Sequence, residues 1–229
     1  MQSRASPGKE TVVRIVVLGA TGGTGHRLVD QALHRGHVVV AYVRRPEAVD
    51  GRPGLTVVGG ELTDAASLTA AVTGADAVLC AIGPTGVKDL FGTDLMRRTL
   101  PVLADAMTAA GVRRLVLMSA YGVGDTAASA TPLARIAFAT AMRSLYRDKQ
   151  IAESRLAEAG LDVTTVYPTA LTNEPPGESA DVRDVTSVSR VGGMPKISRA
   201  AVATAMLDAA EDPGTIGHRL LVTRVGAVR

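Results

Sequence analysis

The residues best suited to chemistry form one short run, Gly19-Ala20-Thr21-Gly22-Gly23-Thr24-Gly25, between a β-branched apolar stretch and an amphipathic one. Glycines at this spacing suit a tight strand-to-helix turn. Gly19 permits the turn, Gly22 and Gly23 let the backbone approach a pyrophosphate, and Gly25 lets the helix pack closely on the strand. A helix starting there, with Thr21 and Thr24 beside the glycines, offers unpaired N–H groups and a partial positive charge to phosphate. The chemistry implied is dinucleotide binding. About 20 residues further on, an NAD-binding unit usually carries an acid that bonds the ribose 2′-hydroxyl. This chain has Arg44 and Arg45 there. A carboxylate repels a 2′-phosphate, whereas a guanidinium pairs with it in bidentate fashion. The expected ligand is NADP(H) in preference to NAD(H).

Other reactive side chains are few. Cys80 is the single cysteine and lies in the apolar run Ala77–Ile82, which suits a small buried hydrophobe. With no second cysteine there is no internal disulfide, and no Cys/His cluster has metal-ligand spacing, so no metal is expected. His26 and His34 fall on the first helix, His37 begins a strand and His218 precedes the last one. Structural or surface roles are expected for all four.

The elements that must position these residues alternate along the chain. Strands are expected at Val12–Leu18, His37–Val43, Leu55–Val58, Ala77–Ile82, Arg114–Met118, Val163–Tyr167 and Leu220–Thr223. Helices are expected at Gly22–His34, Asp64–Val72 and Asp94–Ala110, the last kinked or divided by Pro101. Thr131-Pro132 starts another, running to Ala159 before Gly160, and Ser198 caps one reaching Ala210. Near-continuous apolar strands separated by helices imply a mostly parallel sheet covered on both faces, a doubly wound α/β Rossmann fold in one domain. Residues 1–10 read as a flexible tail and residues 11–229 as the domain. Loops 84–93, 120–131 and 169–197 are left to shape a substrate site. The last is too long for a plain connector and has room for a short element of its own.

Composition agrees. The 229 residues are 46% apolar and 21% charged, which are globular proportions, and aromatics at 3% leave the core to Val, Leu, Ile and Ala. A net charge of only +3, with arginines scattered or in doublets, argues against a nucleic-acid partner. No run approaches the roughly 20 apolar residues of a membrane span, and no signal-type segment opens the chain. A cytoplasmic protein acting on a small molecule, as monomer or weak homodimer, is expected.

Across nearly the whole chain these pieces resemble the atypical short-chain dehydrogenase/reductases, in the branch with NmrA-like and biliverdin reductase B (flavin reductase)-like proteins. The glycine turn is similar to that branch's GATGxTG. Gly36-His37-Val38 leading to Val43-Arg44 resembles its second strand, and Gly60-Glu61-Leu62-Thr63-Asp64 its GDLTD, with Glu for Asp. Leu115–Ala120, Lys149-Gln150-Ile151-Ala152-Glu153, Ala159-Gly160-Leu161 and Tyr167-Pro168 follow in the expected order. The resemblance implies phosphate and ribose contacts at Thr21, Gly22, Gly23, Thr24, Arg44 and Arg45, and adenine flanked by Glu61 and Leu62. Ala81, Ile82, Gly83, Met118 and Ser119 would line the ribose–nicotinamide channel, which Pro168, Thr169 and Leu171 approach. These places also suit a doubly wound sheet, whose ligands lie outside the carboxyl ends of the strands.

The same resemblance places catalytic candidates at Ser119, Lys149 and Tyr121, but with a departure. Typical members carry a proton-donating Tyr four residues before the Lys, and here that position is Leu145. Tyr146 is one residue on, rotated by about 100° around the helix. Ser119 suits either a bond to a substrate carbonyl or a backbone-capping hydroxyl. Lys149 suits a bond to the nicotinamide ribose better than a surface pair with Glu153, which would have the weaker orientation. Tyr121 either faces the site or packs beneath its loop. Biliverdin reductase B-like members have a His where this chain has Ala170, which counts against biliverdin or flavin in particular. The expected function is an NADPH-dependent reductase of a small conjugated or aromatic carbonyl, quinone or flavin-like substrate, which takes its proton from water. The alternatives are an NADP-binding redox sensor without turnover, and a non-oxidative isomerase or cyclase on the same fold.

Overall fold

The computed structural model describes residues 13–84, 94–174 and 179–229. The expected tail, residues 85–93 of the first loop and residues 175–178 of the third lie outside the described residues. Strands β1 (Arg14–Leu18), β2 (Val38–Val43), β3 (Leu55–Gly59), β4 (Ala77–Cys80), β5 (Arg114–Met118) and β6 (Asp162–Pro168) alternate with helices α1 (Gly23–His34), α2 (Ala65–Val72), α3 (Leu95–Ala109), α4 (Pro132–Ala139) and α5 (Arg143–Ala157). Short strands β7 (Ala170–Thr172), β8 (Ala180–Asp184) and β9 (Lys196–Ser198) precede helix α6 (Arg199–Glu211) and strand β10 (Arg219–Arg224).

Eight strands form one sheet in the order β3-β2-β1-β4-β5-β6-β10-β8, and every pairing is parallel except that of edge strand β8 with β10. The chain winds outward in both directions from the β1/β4 pair, where Val16 lies opposite both Val40 and Val78. The two-residue period of the strands splits their apolar side chains between two cores. Ile15, Val17, Val39 and Ala41 pack with Leu28 of α1 and Val202 and Met206 of α6. Val16, Leu18, Val40 and Val78 pack with Leu68 of α2, Leu103 of α3 and Leu156 of α5. Both faces of the sheet are thereby dry, which is why its strands read as unbroken apolar runs.

Two expectations are corrected, and the room expected in the third loop is filled. Pro101 neither divides nor ends α3, which runs through it. Proline forfeits one backbone hydrogen bond, at a cost of about 3 kcal/mol. Leu100, Leu103 and Met107 are fully buried on the same helix, and burial of each side chain contributes roughly 1.5–3 kcal/mol. The helix expected from Thr131 to Ala159 is two helices, broken at Thr140, which leaves helical backbone at φ −111° and ψ −81°. The break serves two cores at once. Phe138 of α4 packs in a small cluster with Tyr121, Leu221 and Val228, while Ala152 and Leu156 of α5 belong to the main core. The third loop holds three strands, of which β7 and β9 pair with each other in parallel.

Buried Asp148 locks α5 against α3. Its carboxylate accepts from the backbone N–H groups of Met96 (2.9 Å) and Arg97 (3.2 Å) and from Arg97 Nε (3.1 Å). The start of α3 is thus capped from another helix, since the side chain of Asp94 makes no capping bond. The same contact fixes the rotation of α5 that aims the neighbouring Lys149.

Candidate cofactor and active site

The carboxyl ends of β1, β2, β4, β5 and β6 meet along one edge of the sheet. Gly19 turns the chain out of β1 with φ +81°, and a Cβ there would lie 2.8 Å from Ala81 O at the end of β4. Gly22 N–H donates to Gly19 O at 2.9 Å and closes the turn. A Cβ on Gly25 would meet Gly19 O at 2.0 Å, so only glycine lets α1 start this close to the strand. No side chain caps α1 and no acid occupies its first turn, which leaves its N–H groups without a side-chain partner. Thr21, Gly22 and Gly23 are exposed, while Thr24 is buried.

Arg44 and Arg45 follow β2 and are exposed, and their side chains have no hydrogen-bond or ion-pair partner among the described residues. Below them Tyr42 donates from its hydroxyl to Glu61 O (2.8 Å) and to Ser67 Oγ (3.1 Å), pinning the turn that carries Glu61 and Leu62. Ala81 and Ile82 are buried at the end of β4, Gly83 is half-buried, and Met118 is buried at the end of β5. Pro168 ends β6 and Thr169 follows it, both buried, with Thr169 Oγ1 bonded to Thr223 Oγ1 at 3.2 Å. Leu171 is half-buried on β7.

Lys149 is 4% exposed and donates from Nζ to Met118 O at 3.4 Å. Burial holds its pKa below the ordinary lysine value, partly opposed by Glu153, Cys80 and Asp148. It is a buried cation directly beneath the strand ends, not a solvated helix lysine. Glu153 is engaged elsewhere. Its carboxylate accepts from Ser119 Oγ on one oxygen and from Tyr167 Oη, at 2.7 Å, on the other. Ser119 is therefore neither a free donor at the strand end nor a backbone cap, because its proton is committed to Glu153.

Tyr121 packs beneath its loop, one of the two places expected for it. Its hydroxyl meets Ser129 Oγ at 3.1 Å, its ring packs edge-on against Phe138 at 5.9 Å, and burial raises its pKa. Tyr146 also turns away from the strand ends. It donates to Tyr121 O at 2.9 Å, and burial pushes its pKa up to about 12. Leu145 is buried. Cys80 is fully buried, with its thiol pushed up to about 11. His26 faces Asp30, His37 bonds Glu211 at 2.9 Å and His218 bonds Asp184 at 2.8 Å. None of these three touches the strand ends.

Sequence reasoning missed a groove of about 570 Å³ between α5, β6 and the entry to β10. Leu161, Thr165, Ile216 and Arg219 line it together with Glu153 and Tyr167. Arg219 lies over the Tyr167 ring at 5.3 Å and pairs with Asp125 at 2.8 Å. Glu153 thereby faces this groove while its other oxygen reaches Ser119. The one available signal was Glu153 one helical turn after Lys149, which places both on the same face of α5.

Residues 19–213 match the model of a family described as NAD(P)H-binding. The chain belongs to that family. The resemblance to the atypical short-chain dehydrogenase/reductases, NmrA-like members included, holds with it. The chain is 33% identical over 170 residues to an uncharacterized chloroplastic protein of Arabidopsis thaliana, covering 71% of this chain and 61% of that protein. It is 30% identical over 167 residues to a 3 beta-hydroxysteroid dehydrogenase/Delta 5→4-isomerase of Mycobacterium tuberculosis, covering 65% of this chain and 44% of that one. The match therefore spans about half the length of these relatives. In fold, the chain is similar to a short-chain dehydrogenase/reductase of Veillonella parvula solved in complex with NADP, with TM-score 0.77, 20% identity and 96% and 98% of the two chains covered. It is also similar to the anaerobilin reductase ChuY of Escherichia coli O157:H7, with TM-score 0.74, 24% identity and 93% and 98% covered. Among the described residues no helix is long and apolar enough to cross a membrane.

Proposed function

We propose that this family member is an NADPH-dependent reductase of a small planar conjugated substrate, such as a quinone, a flavin, an enone or an aromatic carbonyl. The observation that carries the cofactor choice is the pair Arg44 and Arg45, exposed at the end of β2 with side chains unpartnered among the described residues, where NAD-binding units place an acid. Two guanidinium groups there match a 2′-phosphate. The glycine turn and the uncapped start of α1 suit the pyrophosphate, and buried Lys149 suits the nicotinamide ribose. NADPH supplies a hydride when bound. The substrate class follows from the protein's own proton donors. Leu145 stands where a tyrosine acid is usual, the hydroxyls of Tyr121 and Tyr146 are bonded elsewhere, and that of Ser119 is held by Glu153. A conjugated acceptor that takes its proton from water needs none of them.

The test is calorimetric titration with NADP⁺ and NAD⁺ on the wild type, Arg44→Ala and Arg45→Ala, followed by NADPH oxidation with representative acceptors. Tighter NADP⁺ binding that the arginine variants weaken, with turnover of at least one conjugated acceptor, supports the reading. Equal affinity for both nucleotides removes the cofactor preference. NADP⁺ binding with no turnover of any acceptor favours a redox sensor, a reading that the engaged Ser119 hydroxyl also suits.

A further inference from the structure

Arg199, the first residue of α6, lies across the glycine turn. A Cβ on Gly23 would meet Arg199 Cδ at 2.7 Å and Nε at 2.9 Å, so the end of this side chain covers the backbone that opens α1. Its guanidinium is steadied by one neutral partner, with Nη1 donating to Asn173 Oδ1 at 2.8 Å. It forms no ion pair with a described residue. The remaining donors of the fork stay available above the turn.

The surroundings of Arg199 are electrostatically one-sided. Helices α1 and α6 run side by side in the same direction: Gln31 Nε2 donates to Ala200 O at 3.0 Å, Thr204 Oγ1 to Gln31 Oε1 at 3.0 Å, and Arg35 pairs with Asp208 at 2.8 Å. Their N-termini therefore open at the same end of the molecule. Neither first turn contains an acid. A helix N-terminus favours anions and disfavours cations, by about 0.3–1 kcal/mol each. An arginine at the start of one helix, lying over the start of another, brings three positive features together without a carboxylate.

We infer that Arg199 is a pyrophosphate-binding residue of the cofactor site, a cation held over the glycine turn by Asn173 to pair with the phosphates shared by NADP(H) and NAD(H). This rests on the dinucleotide reading of the glycine turn and adds to it a residue outside the sequence motif. Arg199 acts on a different group from Arg44 and Arg45. Those two recognise the 2′-phosphate found only in NADP(H), whereas Arg199 serves both nucleotides alike.

The experiment is calorimetric titration of the full chain with NADP⁺ and with NAD⁺ at two salt concentrations, for wild type, Arg199→Gln and Arg199→Lys. Thermal unfolding without nucleotide serves as the folding control. Loss of a charged hydrogen-bond partner predicts that Arg199→Gln weakens both nucleotides by a common factor of about 10 to 100, leaving their ratio unchanged and flattening the salt dependence. Arg199→Lys keeps the charge and recovers part of the loss. Wild-type affinity for both nucleotides in Arg199→Gln overturns the inference and leaves the cofactor reading standing. A loss confined to NADP⁺ overturns it too, since Arg199 would then serve the 2′-phosphate. A wild type that binds neither nucleotide overturns the cofactor reading and this inference together.

Discussion

Tyr167 Oη lies 2.7 Å from Glu153 Oε2, and the other oxygen of that carboxylate accepts the hydroxyl of Ser119. Two adjacent parallel strands are thus tied at their carboxyl ends to one side chain of α5. Burial first, and then the charge of Glu153, raise the pKa of the Tyr167 phenol. Glu153→Ala leaves two nearly buried hydroxyls without their acceptor and is expected to cost about 2 kcal/mol. Glu153→Gln keeps an acceptor in place and is expected to cost about half as much. Urea unfolding of the two variants checks this, and a Glu153→Ala variant as stable as the wild type would mean that the bridge contributes nothing.

Tyr146 should behave as a structural residue with a pH signature. Tyr146→Phe removes its bond to Tyr121 O and costs about 1 kcal/mol at pH 8. The folded pKa of Tyr146, about 12, lies above its ordinary value of 10.0. Its contribution is therefore fully present below pH 10 and is lost as pH rises towards 12, because the unfolded tyrosine ionises first. The deficit of the variant should narrow over that window in unfolding experiments. Its rate of NADPH oxidation should match that of the wild type, and a large fall would instead identify Tyr146 as the missing acid.

Lys149 runs the opposite way. Its pKa is depressed in the fold, so the wild type carries the cost of a buried cation at neutral pH and sheds it as pH rises towards the ordinary value of 10.5. Lys149→Met should be more stable than the wild type at pH 7, with the gain fading towards pH 10.5. The same variant should bind NADP⁺ more weakly. Denaturant titrations at pH 7 and 10 together with calorimetry separate the two effects. A variant that is less stable at pH 7 would show that Lys149 is net stabilising where it is.

Asp148 is a cap supplied across space. Asp148→Ala strips the start of α3 of two backbone bonds and one arginine contact and should destabilise by about 2 kcal/mol. Asp94→Ala should change little, since that side chain caps nothing. Comparison of the two unfolding midpoints decides between them.

Much of this molecule was legible along the chain because the deciding physics is local. The glycine spacing dictates a strand–turn–helix unit, and unbroken apolar strands dictate a sheet covered on both faces. The place of Arg44 and Arg45 follows from counting beyond the turn. The break at Thr140 was hidden because neither glycine nor proline marks it: two separate cores pull α4 and α5 apart. Strands β7 and β9 were hidden because three residues are too few to show a period, and β8 because its sequence, with Asp181, Arg183 and Asp184, lacks the apolar run of the other strands; all three exist through their pairing.

The sequence by itself determined seven of the eight strands of the sheet, their order along the chain and the turn on which a dinucleotide would sit, since neighbours within a few residues set each of these. Only the tertiary structure decided which side chains face that turn. Packing of α1 against α6 brings Arg199 over Gly23, and the rotation of α5 fixed by Asp148 buries Lys149 at Met118 and sends Glu153 to Ser119 and Tyr167. Those pairs lie far apart in the chain, and no periodicity or spacing encodes a contact that exists only after the helices dock on the sheet.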